Sequence, residues 1–480
     1  MADHYPGSVD AATDNVTVAA VAELVVTEAA AHLSADVSDR GLTYAGRTLV
    51  YEDTVRDVDV RIGPPLLHAV AGPLGMVLDS VRWLVDAVAN RYRARFSELF
   101  RQEQATSGDE AVPLARLMLR VLPELTVHTR HTLPAAVAGG VADFQERWQR
   151  VLGTPPDARR HQVPAAGIAA AMAREFPPPA TRRPPWSNAR HHSPDVMLAA
   201  AGRQEVERGD FTVVLGELHV AVNTIESRIF VTQHEEPGRL LAAAEADHGD
   251  ERVYALPRED SPVVTGRGSP PSGLLSPRYT YWVNSGPEAA ECPVNPLPSA
   301  GLRVHRRGDR LVVRSDVPGQ EFDFLEVVGE LLSGAIANAF QPVPVTGHRP
   351  RITIDRLVLC REGWTFPAGE LTWATQTDEA RRYLRARQWR AKHDLPERVF
   401  LRAPGEQKPI AVDFRSLPLV NILAKAIRQA GTRPEQPIQL VEMVPDLDQL
   451  WLTDAGGAPY TSELRVVAHD GWYEAPTGCV

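Results

Sequence analysis

The chain has 480 residues, of which 44% are hydrophobic and 23% are charged, and its formal net charge at pH 7 is -10. A chain of this size and composition can bury a large core, which excludes an intrinsically disordered protein and predicts one large domain or two to three lobes. The net negative charge argues against a protein that coats nucleic acid, although it leaves room for a local anion-binding site.

Residues 1–40 form a variable segment rich in Ala, Val and Asp, in which Val16–His32 is predicted to be a helix. Its apolar stretch Val16–Val26 contains Glu23 and is too short to cross a bilayer. Because no basic leader precedes this stretch, neither export nor membrane insertion is expected, and the chain is predicted to be cytoplasmic.

Residues 41–180 are predicted to form a mainly helical lobe. An extended segment, Tyr44–Asp59, comes first and ends before Pro64-Pro65. Apolar residues then recur at three- and four-residue steps, which is typical of a helix with one buried face. The predicted helical regions are Leu66–Phe100 as one or two helices, Leu114–Leu122 with Pro123 as its stop, and Ala135–Val151.

A proline-rich segment, Phe176–Ser193, is predicted to be a loop or linker that separates this lobe from a second one. It holds five prolines together with Arg182, Arg183 and Arg190. Proline lacks the backbone donor that helices and sheets need, so regular structure is not expected here. The second lobe is predicted to span residues 181–480.

Strands and helices alternate without a regular rhythm in residues 181–480, which predicts an α+β fold with mixed sheets and interleaved helices. A glycine after Ala430 indicates where the last predicted helix ends. The predicted strands are Phe211–Val222, Leu311–Arg314, Arg351–Cys360, Arg398–Arg402, Ile410–Phe414 and Ile438–Met443, followed by a hairpin through Asp454–Gly457. The predicted helices are Leu325–Phe340 and Leu417–Ala430.

Two short motifs fail as catalytic signatures. The segment Arg190–Asp195 contains Ser, His and Asp, but residues this close in sequence do not meet as a catalytic triad, whose members come from separate elements. Gly266–Gly268 lacks both the strand-to-helix setting and the lysine of a phosphate-binding loop. Both segments are interpreted as loops.

No metal site is predicted. In the segment Gly216–His219, a strand would place Glu217 and His219 on one face as possible ligands, but spacing supplies no third ligand, and a hydrogen-bonded pair in a polar groove is the competing interpretation. The cysteines Cys292, Cys360 and Cys479 are far apart, which indicates neither a zinc site nor a disulfide framework and fits a reducing compartment.

Arginine supplies nearly all the positive charge, since the chain has only three lysines. Thr375–Asp378 resembles a capping box that opens a strongly basic helix. Two interpretations stay open for this helix: a solvated face, or a site for a phosphate backbone. The basic residues of the helix are Arg381, Arg382, Arg385, Arg387, Arg390 and Lys392, and a second basic candidate consists of Arg303, Arg306, Arg307 and Arg310.

Several segments, in this order, resemble the glutamate-transferring part of the lantibiotic dehydratase family, as represented by its actinobacterial members. The resemblance runs from about Tyr44 to about Asp470. The segments are Gly46–Asp53, Leu78–Trp83, His192–Asp195, Leu215–His219 with Asn223, Leu275–Arg278, Pro350–Val358, Arg361–Trp364, Leu395–Phe400, Lys408-Pro409 with Asp413, Glu442–Asp446 and Tyr460–Arg465.

The resemblance implies an enzyme that takes glutamate from glutamyl-tRNA and esterifies Ser or Thr hydroxyls of a precursor peptide in the biosynthesis of ribosomally made peptide natural products. Charged tRNA is then the co-substrate, and no cofactor is expected. By the resemblance, Asp53 and Arg228 are the candidate catalytic residues. The candidate substrate-binding residues are Arg190, His192, Glu217, His219, Arg278 and Arg361, and the candidate tRNA-binding residues are Arg381, Arg382, Arg385 and Lys392.

Three parts of the family pattern have no counterpart in this sequence: an N-terminal Arg-containing segment, the leader-binding winged helix and the domain that eliminates glutamate. The leading hypothesis is therefore a split enzyme, in which a separate subunit supplies what is missing. A peptide aminoacyl-tRNA ligase, which extends the C-terminus of a peptide, is the first alternative. A noncatalytic peptide-binding or scaffold protein is the second.

Overall fold

A computed structural model describes residues 58, 60–125, 133–155, 157–256, 274–283, 295–317, 319–404, 409–431 and 437–475, with Arg228 by its backbone alone. The predicted helix Val16–His32, the predicted extended residues 44–57, the catalytic candidate Asp53 and the loop Gly266–Gly268 lie outside the described residues.

Helices occur along the whole described chain. They are α1 Pro64–Ser107, α2 Leu114–Leu125, α3 Ala135–Leu152, α4 Ala165–Glu175, α5 Arg203–Arg208, α6 Arg228–Gln233, α7 Pro237–His248, α8 Phe324–Val327, α9 Gly329–Ile336, α10 Glu379–Lys392 and α11 Leu417–Ala430.

Short strands are interleaved with these helices. The first group is β1 Val112–Pro113, β2 Arg160–Val163, β3 His191–Ala199, β4 Thr212–Val220, β5 Val253–Leu256, β6 Thr280–Val283, β7 Pro296–Pro298, β8 Leu302–Arg307, β9 Arg310–Ser315 and β10 Glu321–Asp323. The second group is β11 His348–Arg349, β12 Arg351–Ile354, β13 Leu357–Cys360, β14 Gly363–Pro367, β15 Arg398–Arg402, β16 Ile410–Asp413, β17 Pro437–Glu442, β18 Leu452–Thr453, β19 Pro459–Tyr460, β20 Leu464–Arg465 and β21 Ala468–His469.

The strands form several separate sheets of mixed direction. A seven-stranded sheet runs β2-β12-β13-β4-β3-β20, and β21 also pairs with β3. A five-stranded sheet runs β11-β14-β17-β15-β16, and a four-stranded sheet runs β1-β8-β9-β10. Strands β5, β6 and β7 form a small parallel sheet. Mixed sheets with interleaved helices confirm the predicted α+β fold class.

The long first helix follows directly from its sequence. Proline occupies its first turn, where a missing backbone donor costs nothing, and Gly108 ends it in the left-handed conformation with φ of 75°. Over 44 residues the helix is roughly 66 Å long. Its buried stripe includes Val77, Val81 and Leu84, which confirms the predicted periodicity and resolves it as one continuous helix.

Two large hydrophobic cores and two small clusters organise the described chain. The larger core combines α1, α2, α3 and α4 with residues that follow them in the chain, from Trp186 to Cys360 and including Trp451. The smaller core lies entirely between Trp364 and Leu440 and packs α10 and α11 on the five-stranded sheet. Because the larger core takes residues from both sides of position 180, its limits differ from the lobe boundary that the prolines predict.

The predicted linker ends earlier than expected. Strand β3 begins at His191, and Trp186 and Ser187 before it are buried. The Trp186 Nε1 atom donates to Ser333 Oγ at 3.0 Å, and Ser187 donates to Glu326 from its backbone at 2.7 Å. These hydrogen bonds anchor the end of the proline-rich segment to the core, so Phe176–Ser193 is a loop only in its first part.

Three predicted elements have different limits. The predicted strand Arg351–Cys360 is a hairpin of β12 and β13, because Asp355 turns the chain with a positive φ of 51°, which Asp tolerates better than most residues. The predicted helix Leu325–Phe340 is interrupted before Gly329, a weak helix former, into α8 and α9. Helix α2 continues two residues past Pro123, to Leu125.

Among the residues that the structure describes, no helix is long and apolar enough to span a membrane.

Candidate functional site

A β-bulge in the seven-stranded sheet brings charged side chains together. Strands β3 and β4 pair Pro194 with Leu218 and Val196 with Leu215, so the two residues Gly216 and Glu217 face the single residue Asp195. A Cβ atom at Gly216 would lie 2.9 Å from the Met197 terminal methyl and 3.2 Å from the backbone oxygen of Asp195, so a larger residue would require Met197 to move. Bulges of this kind redirect side chains and are common beside functional sites.

The side chains around this bulge form what we term the Asp195 cluster, which consists of Asp195, Glu217, His219, Glu463 and Arg465. The His219 Nε2 atom lies 3.7 Å from Asp195 Oδ2 and 3.7 Å from Glu217 Oε2. Arg465 bridges two carboxylates, with contacts of 2.7 Å to Asp195 and 2.8 Å to Glu463. Strand β20, which carries Arg465, pairs with β3 opposite Asp195.

Burial differs sharply within the Asp195 cluster. The Asp195 side chain is only 1% exposed, whereas the Glu217 side chain is 62% exposed. Burial lowers the pKa of His219, but Asp195 and Glu217 outweigh it and hold that pKa above its ordinary value. Burial also raises the pKa of Glu463, although Arg465 opposes the shift. The cluster therefore contains one buried carboxylate, that of Asp195, and one solvent-exposed carboxylate, that of Glu217.

Arg361 borders the same region. Its Nε atom donates to the Val444 carbonyl oxygen at 2.9 Å, and its Nη2 atom lies 3.7 Å from the Met197 sulfur. Burial lowers the pKa of Arg361 to about 10. The positive charge of Arg361 in turn acts to lower the pKa of Glu463. Of the predicted substrate-binding residues, the structure thus brings Glu217, His219 and Arg361 into one neighbourhood.

A second group of buried charges, which we term the Arg252 cluster, consists of Glu226, His248, Arg252, Tyr279 and Glu330. The Arg252 side chain is 2% exposed and donates two hydrogen bonds to Glu226, at 2.9 and 3.0 Å. It also donates to Glu330 at 3.0 Å. Burial opposes ionisation of Glu226, but Arg252 and His248 outweigh it and hold the pKa of this carboxyl well below its usual range.

His248 and Tyr279 complete this cluster without hydrogen bonds of their own. Their rings are 6.0 Å apart, and neither ring nitrogen of His248 nor the Tyr279 hydroxyl has a hydrogen-bond partner within the described ranges. Burial and the nearby Arg252 together lower the pKa of His248 to about 3, although Glu226 opposes the shift. The imidazole is therefore neutral at physiological pH.

Two further predicted substrate-binding residues lie near the Arg252 cluster rather than the Asp195 cluster. Arg190 is buried, contacts the Glu474 carbonyl oxygen at 3.4 Å and has a pKa lowered by burial despite the nearby Asp247. Arg278 donates to Asp250 at 2.7 Å. The predicted substrate-binding set is thus divided between two places in the fold.

His192, another predicted substrate-binding residue, lies in the interior of the fold. Its ring is almost fully buried, and Nδ1 accepts a hydrogen bond of 3.3 Å from the Ala221 backbone. Burial lowers its pKa to about 4, while Asp470 opposes this shift and His191 and Arg82 add to it. The imidazole is therefore buried and neutral, and its contact with a substrate stays a prediction.

The buried imidazole of His192 makes stability depend on pH. In the unfolded chain His192 takes up a proton near pH 6.5, whereas the folded chain resists protonation down to about pH 4. The contribution is therefore fully present above pH 6.5 and is lost as the pH falls toward 4. Lowering the pH from 7 to 5 is expected to reduce the free energy of unfolding by about 2 kcal/mol through this residue, measured by urea unfolding.

A matched pair of variants isolates this effect. His192→Gln should lower the stability at pH 7 but also make its pH dependence shallower, whereas His234→Gln, at an exposed histidine, should leave the dependence unchanged. An identical pH dependence in wild type and His192→Gln would show that His192 is protonated normally in the folded state.

The catalytic candidates are placed only in part. Asp53 lies outside the described residues. Arg228 is the first residue of α6, which follows Ser227. Their roles stay predictions.

The basic helix is present, and Asp378 rather than Thr375 caps it. The Asp378 side chain accepts the Arg381 backbone N–H at 2.7 Å, because Thr375 ends a preceding 3-10 turn instead. Arg382 is turned inward and donates to Asn421 at 2.7 Å, which ties α10 to α11. Arg390 donates to the Leu395 carbonyl oxygen at 2.8 Å. Both side chains therefore support the fold.

The remaining basic residues of α10 face solvent. Three of these residues lie on one side of the helix, which has about 3.6 residues per turn, and we term them the α10 basic face: Arg381, Arg385 and Lys392. In the part of the chain that the structure describes, no acidic side chain forms an ion pair with any of them. In the second basic group, around strands β8 and β9, acidic side chains offset part of the positive charge. Arg307 pairs with Glu321, and Arg310 lies 3.9 Å from Asp323. The α10 basic face is thus the stronger anion-binding candidate.

Comparison with known proteins gives a match by structure alone. No family model and no curated protein sequence matches the chain. A solved structure titled glutamylation domain, TbtB, from thiomuracin biosynthesis is similar with a TM-score of 0.50 and 17% sequence identity, over 84% of this chain and 50% of that one. The chain therefore spans about half the length of that structure.

Two further solved structures are similar at lower scores. One is the same TbtB domain bound to 5'-phosphodesmethylglutamycin, with a TM-score of 0.49, 17% identity and coverage of 84% and 50%. The other is the tRNA-dependent lantibiotic dehydratase MibB from Microbispora sp. 107891, with a TM-score of 0.48, 16% identity and coverage of 78% and 37%. In its fold, the chain is similar to a glutamylation domain, as the family resemblance predicted.

Proposed function

We propose that the chain is an aminoacyltransferase of peptide natural product biosynthesis, which moves glutamate from charged tRNA to Ser or Thr hydroxyls of a precursor peptide. The similarity in fold to the TbtB glutamylation domain supports this proposal. A shared fold alone does not imply a shared reaction, so the argument also needs groups that suit the reaction.

The observation that carries the proposal is the α10 basic face. Arg381, Arg385 and Lys392 are exposed and free of acidic partners within the described ranges, although the whole chain has a net charge of -10. A guanidinium binds phosphate through two parallel hydrogen bonds, and several such groups in a row suit a nucleic acid backbone. A tRNA co-substrate explains why an acidic chain keeps such a face.

The proposed reaction exchanges one ester for another. The oxygen of a Ser or Thr hydroxyl attacks the carbonyl carbon of the aminoacyl ester, and the bond from that carbon to the ribose oxygen of tRNA breaks. The proton of the hydroxyl ends on the released ribose oxygen. We assign the proton transfer to Asp53 and the stabilisation of the oxyanion to Arg228, on the family resemblance. Charged tRNA is the only co-substrate in this scheme.

The groups that hold the peptide are assigned to the two clusters described above. Glu217, His219 and Arg361 are proposed to contact the peptide at the exposed side of the Asp195 cluster. Arg190 and Arg278 are proposed to contribute near the Arg252 cluster. Guanidinium groups at these places would attract carboxylates of the peptide or of the transferred glutamate.

Reconstitution tests the proposal. The chain is mixed with glutamyl-tRNA and a precursor peptide encoded next to its gene, and the peptide is weighed by mass spectrometry. A mass increase of one glutamyl group is expected, and Asp53→Ala and Arg228→Ala should each reduce it by at least about 100-fold, as is typical when a proton-transfer or oxyanion-stabilising group is removed. Asp109→Ala and Arg203→Ala, at exposed positions, should retain the wild-type yield.

Further arms separate the alternatives. The reaction is run with and without a separately encoded subunit that resembles the N-terminal or elimination part of the family, because we also propose that the enzyme is split. An added amino acid at the peptide C-terminus, located by fragmentation, would identify a peptide aminoacyl-tRNA ligase. Peptide binding without any mass change in either arm would leave a scaffold protein as the explanation.

A further inference from the structure

We propose that Asp195, Glu217 and His219 bind a divalent transition metal ion, for which Zn²⁺ is the best match. One ligand atom from each of these three side chains lies within 4.8 Å of the other two. Zinc takes imidazole nitrogen and carboxylate oxygen at about 2.0–2.2 Å, so three ligands that surround one ion lie a few ångströms from one another. The donor atoms therefore need only small side-chain adjustments to meet around an ion.

The backbone supports this arrangement. His219 faces Ser193 across the pairing of β3 and β4, while the bulge at Gly216 and Glu217 sets two residues against Asp195. Two adjacent strands thereby direct three donor side chains toward one point. Gly216 leaves room in the bulge for the Met197 side chain, whose terminal methyl would lie 2.9 Å from a Cβ atom at this position.

Asp195 supplies an independent indication of a ligand. Its side chain is 1% exposed, and its Oδ1 atom is buried with no hydrogen-bond partner in the described part of the chain. A buried carboxylate oxygen without a partner destabilises the folded state, because it loses its hydrogen bonds to water and forms none within the protein. A metal ion bound to Oδ1 would remove this cost.

Arg465 fits the role of a support for the site. Its guanidinium lies 2.7 Å from Asp195 Oδ2, and it is held in turn by Glu463 at 2.8 Å. A carboxylate that binds a metal through one oxygen commonly accepts a hydrogen bond on the other, which orients it. Arg465 therefore orients the Asp195 carboxylate, whose Oδ2 atom also faces His219 at 3.7 Å.

The charges and the exposure match a site of the open type. Asp195 and Glu217 together balance the two charges of Zn²⁺, and a neutral His219 adds a nitrogen donor. Three protein ligands leave a fourth position, and the 62% exposed Glu217 side chain places that position beside solvent. Within the described ranges, no other three His, Cys, Asp or Glu side chains come this close together.

Isothermal titration of the full chain with zinc chloride tests the proposal, without tRNA or peptide. Wild type is expected to bind one equivalent, and Glu217→Gln and His219→Ala should each weaken that binding at least about 10-fold, since each removes one of three ligands. Glu217 is exposed, so Glu217→Gln should not disturb folding, which circular dichroism checks. Glu236→Gln and His305→Ala are matched controls away from the site and should bind zinc like wild type.

Two results would overturn the zinc site. One is the absence of saturable zinc binding by the wild-type chain. The other is wild-type affinity in both Glu217→Gln and His219→Ala, which would assign the bound zinc to other histidines or to cysteines. Because this titration needs no transfer reaction, its outcome is independent of the proposed aminoacyltransferase activity.

Discussion

Replacement of Arg252 by methionine is expected to lower the free energy of unfolding by about 3–5 kcal/mol. Arg252 is 2% exposed and is the cation that faces both Glu226 and Glu330. Without it, the buried Glu226 and the partly buried Glu330 remain close to each other with no cation to offset their loss of hydration. Urea unfolding at pH 7, followed by circular dichroism, measures the change.

The pattern of variants identifies the cause. Arg203→Met removes a surface ion pair with Glu207 and should change stability by less than about 1 kcal/mol. Adding Glu226→Gln to Arg252→Met should recover part of the loss, because one unpaired charge is then removed. If Arg252→Met lowers the free energy of unfolding no more than Arg203→Met does, water must solvate these carboxylates in the folded state. The interpretation of the Arg252 cluster as buried from solvent would then be wrong.

The Arg252 cluster also shows what sequence reasoning could not reach. Glu226 and Glu330 are separated from Arg252 by 26 and 78 positions, and none of the three belongs to a motif with a characteristic spacing. A buried ion pair leaves no periodic signal, because either member resembles a surface residue in the sequence. Only the packing of the elements brings such residues together.

Local patterns, in contrast, predicted most elements. The apolar periodicity of α1, the strand Arg398–Arg402 and the helix Leu417–Ala430 follow from spacing, proline and glycine, and the structure confirms them. The bulge beside Asp195 escaped prediction for a related reason. It depends on the pairing of β3 with β4, and alternation along β4 alone places Glu217 and His219 on one face without indicating Asp195 opposite them.

The basic helix α10 could be predicted only in part. Its composition predicted a basic surface, but composition could not distinguish cations that face solvent from cations that hold the fold. Arg382 was predicted to bind tRNA, yet its guanidinium is committed to Asn421 and to the Gln376 carbonyl oxygen, both at 2.7 Å. A phosphate contact would have to break those hydrogen bonds. Arg387 is exposed, but it lies on the side of the helix opposite Arg385, where its guanidinium is 5.7 Å from the Tyr383 ring.

Charge reversal of the α10 basic face is therefore expected to weaken tRNA binding strongly. In the triple variant Arg381→Glu, Arg385→Glu and Lys392→Glu, affinity should fall by at least about 100-fold at low salt, because each phosphate contact releases a counterion and contributes to binding. The slope of the logarithm of affinity against the logarithm of salt concentration should become shallower by roughly two to three. Fluorescence titration of labelled tRNA at several salt concentrations measures both.

A second basic surface serves as the comparison. The double variant Arg303→Glu and Arg306→Glu alters exposed residues of β8. If tRNA crosses α10 alone, this variant should keep the wild-type salt slope, because counterion release follows the phosphates contacted and not the total charge. A salt slope unchanged by the triple variant but reduced by the β8 variant would place the tRNA on the four-stranded sheet that contains β8 instead of on α10.

Since Arg382 points inward, Arg382→Gln should lower stability while it leaves the salt slope of tRNA binding unchanged. This result would separate cations that bind phosphate from those that support the helix.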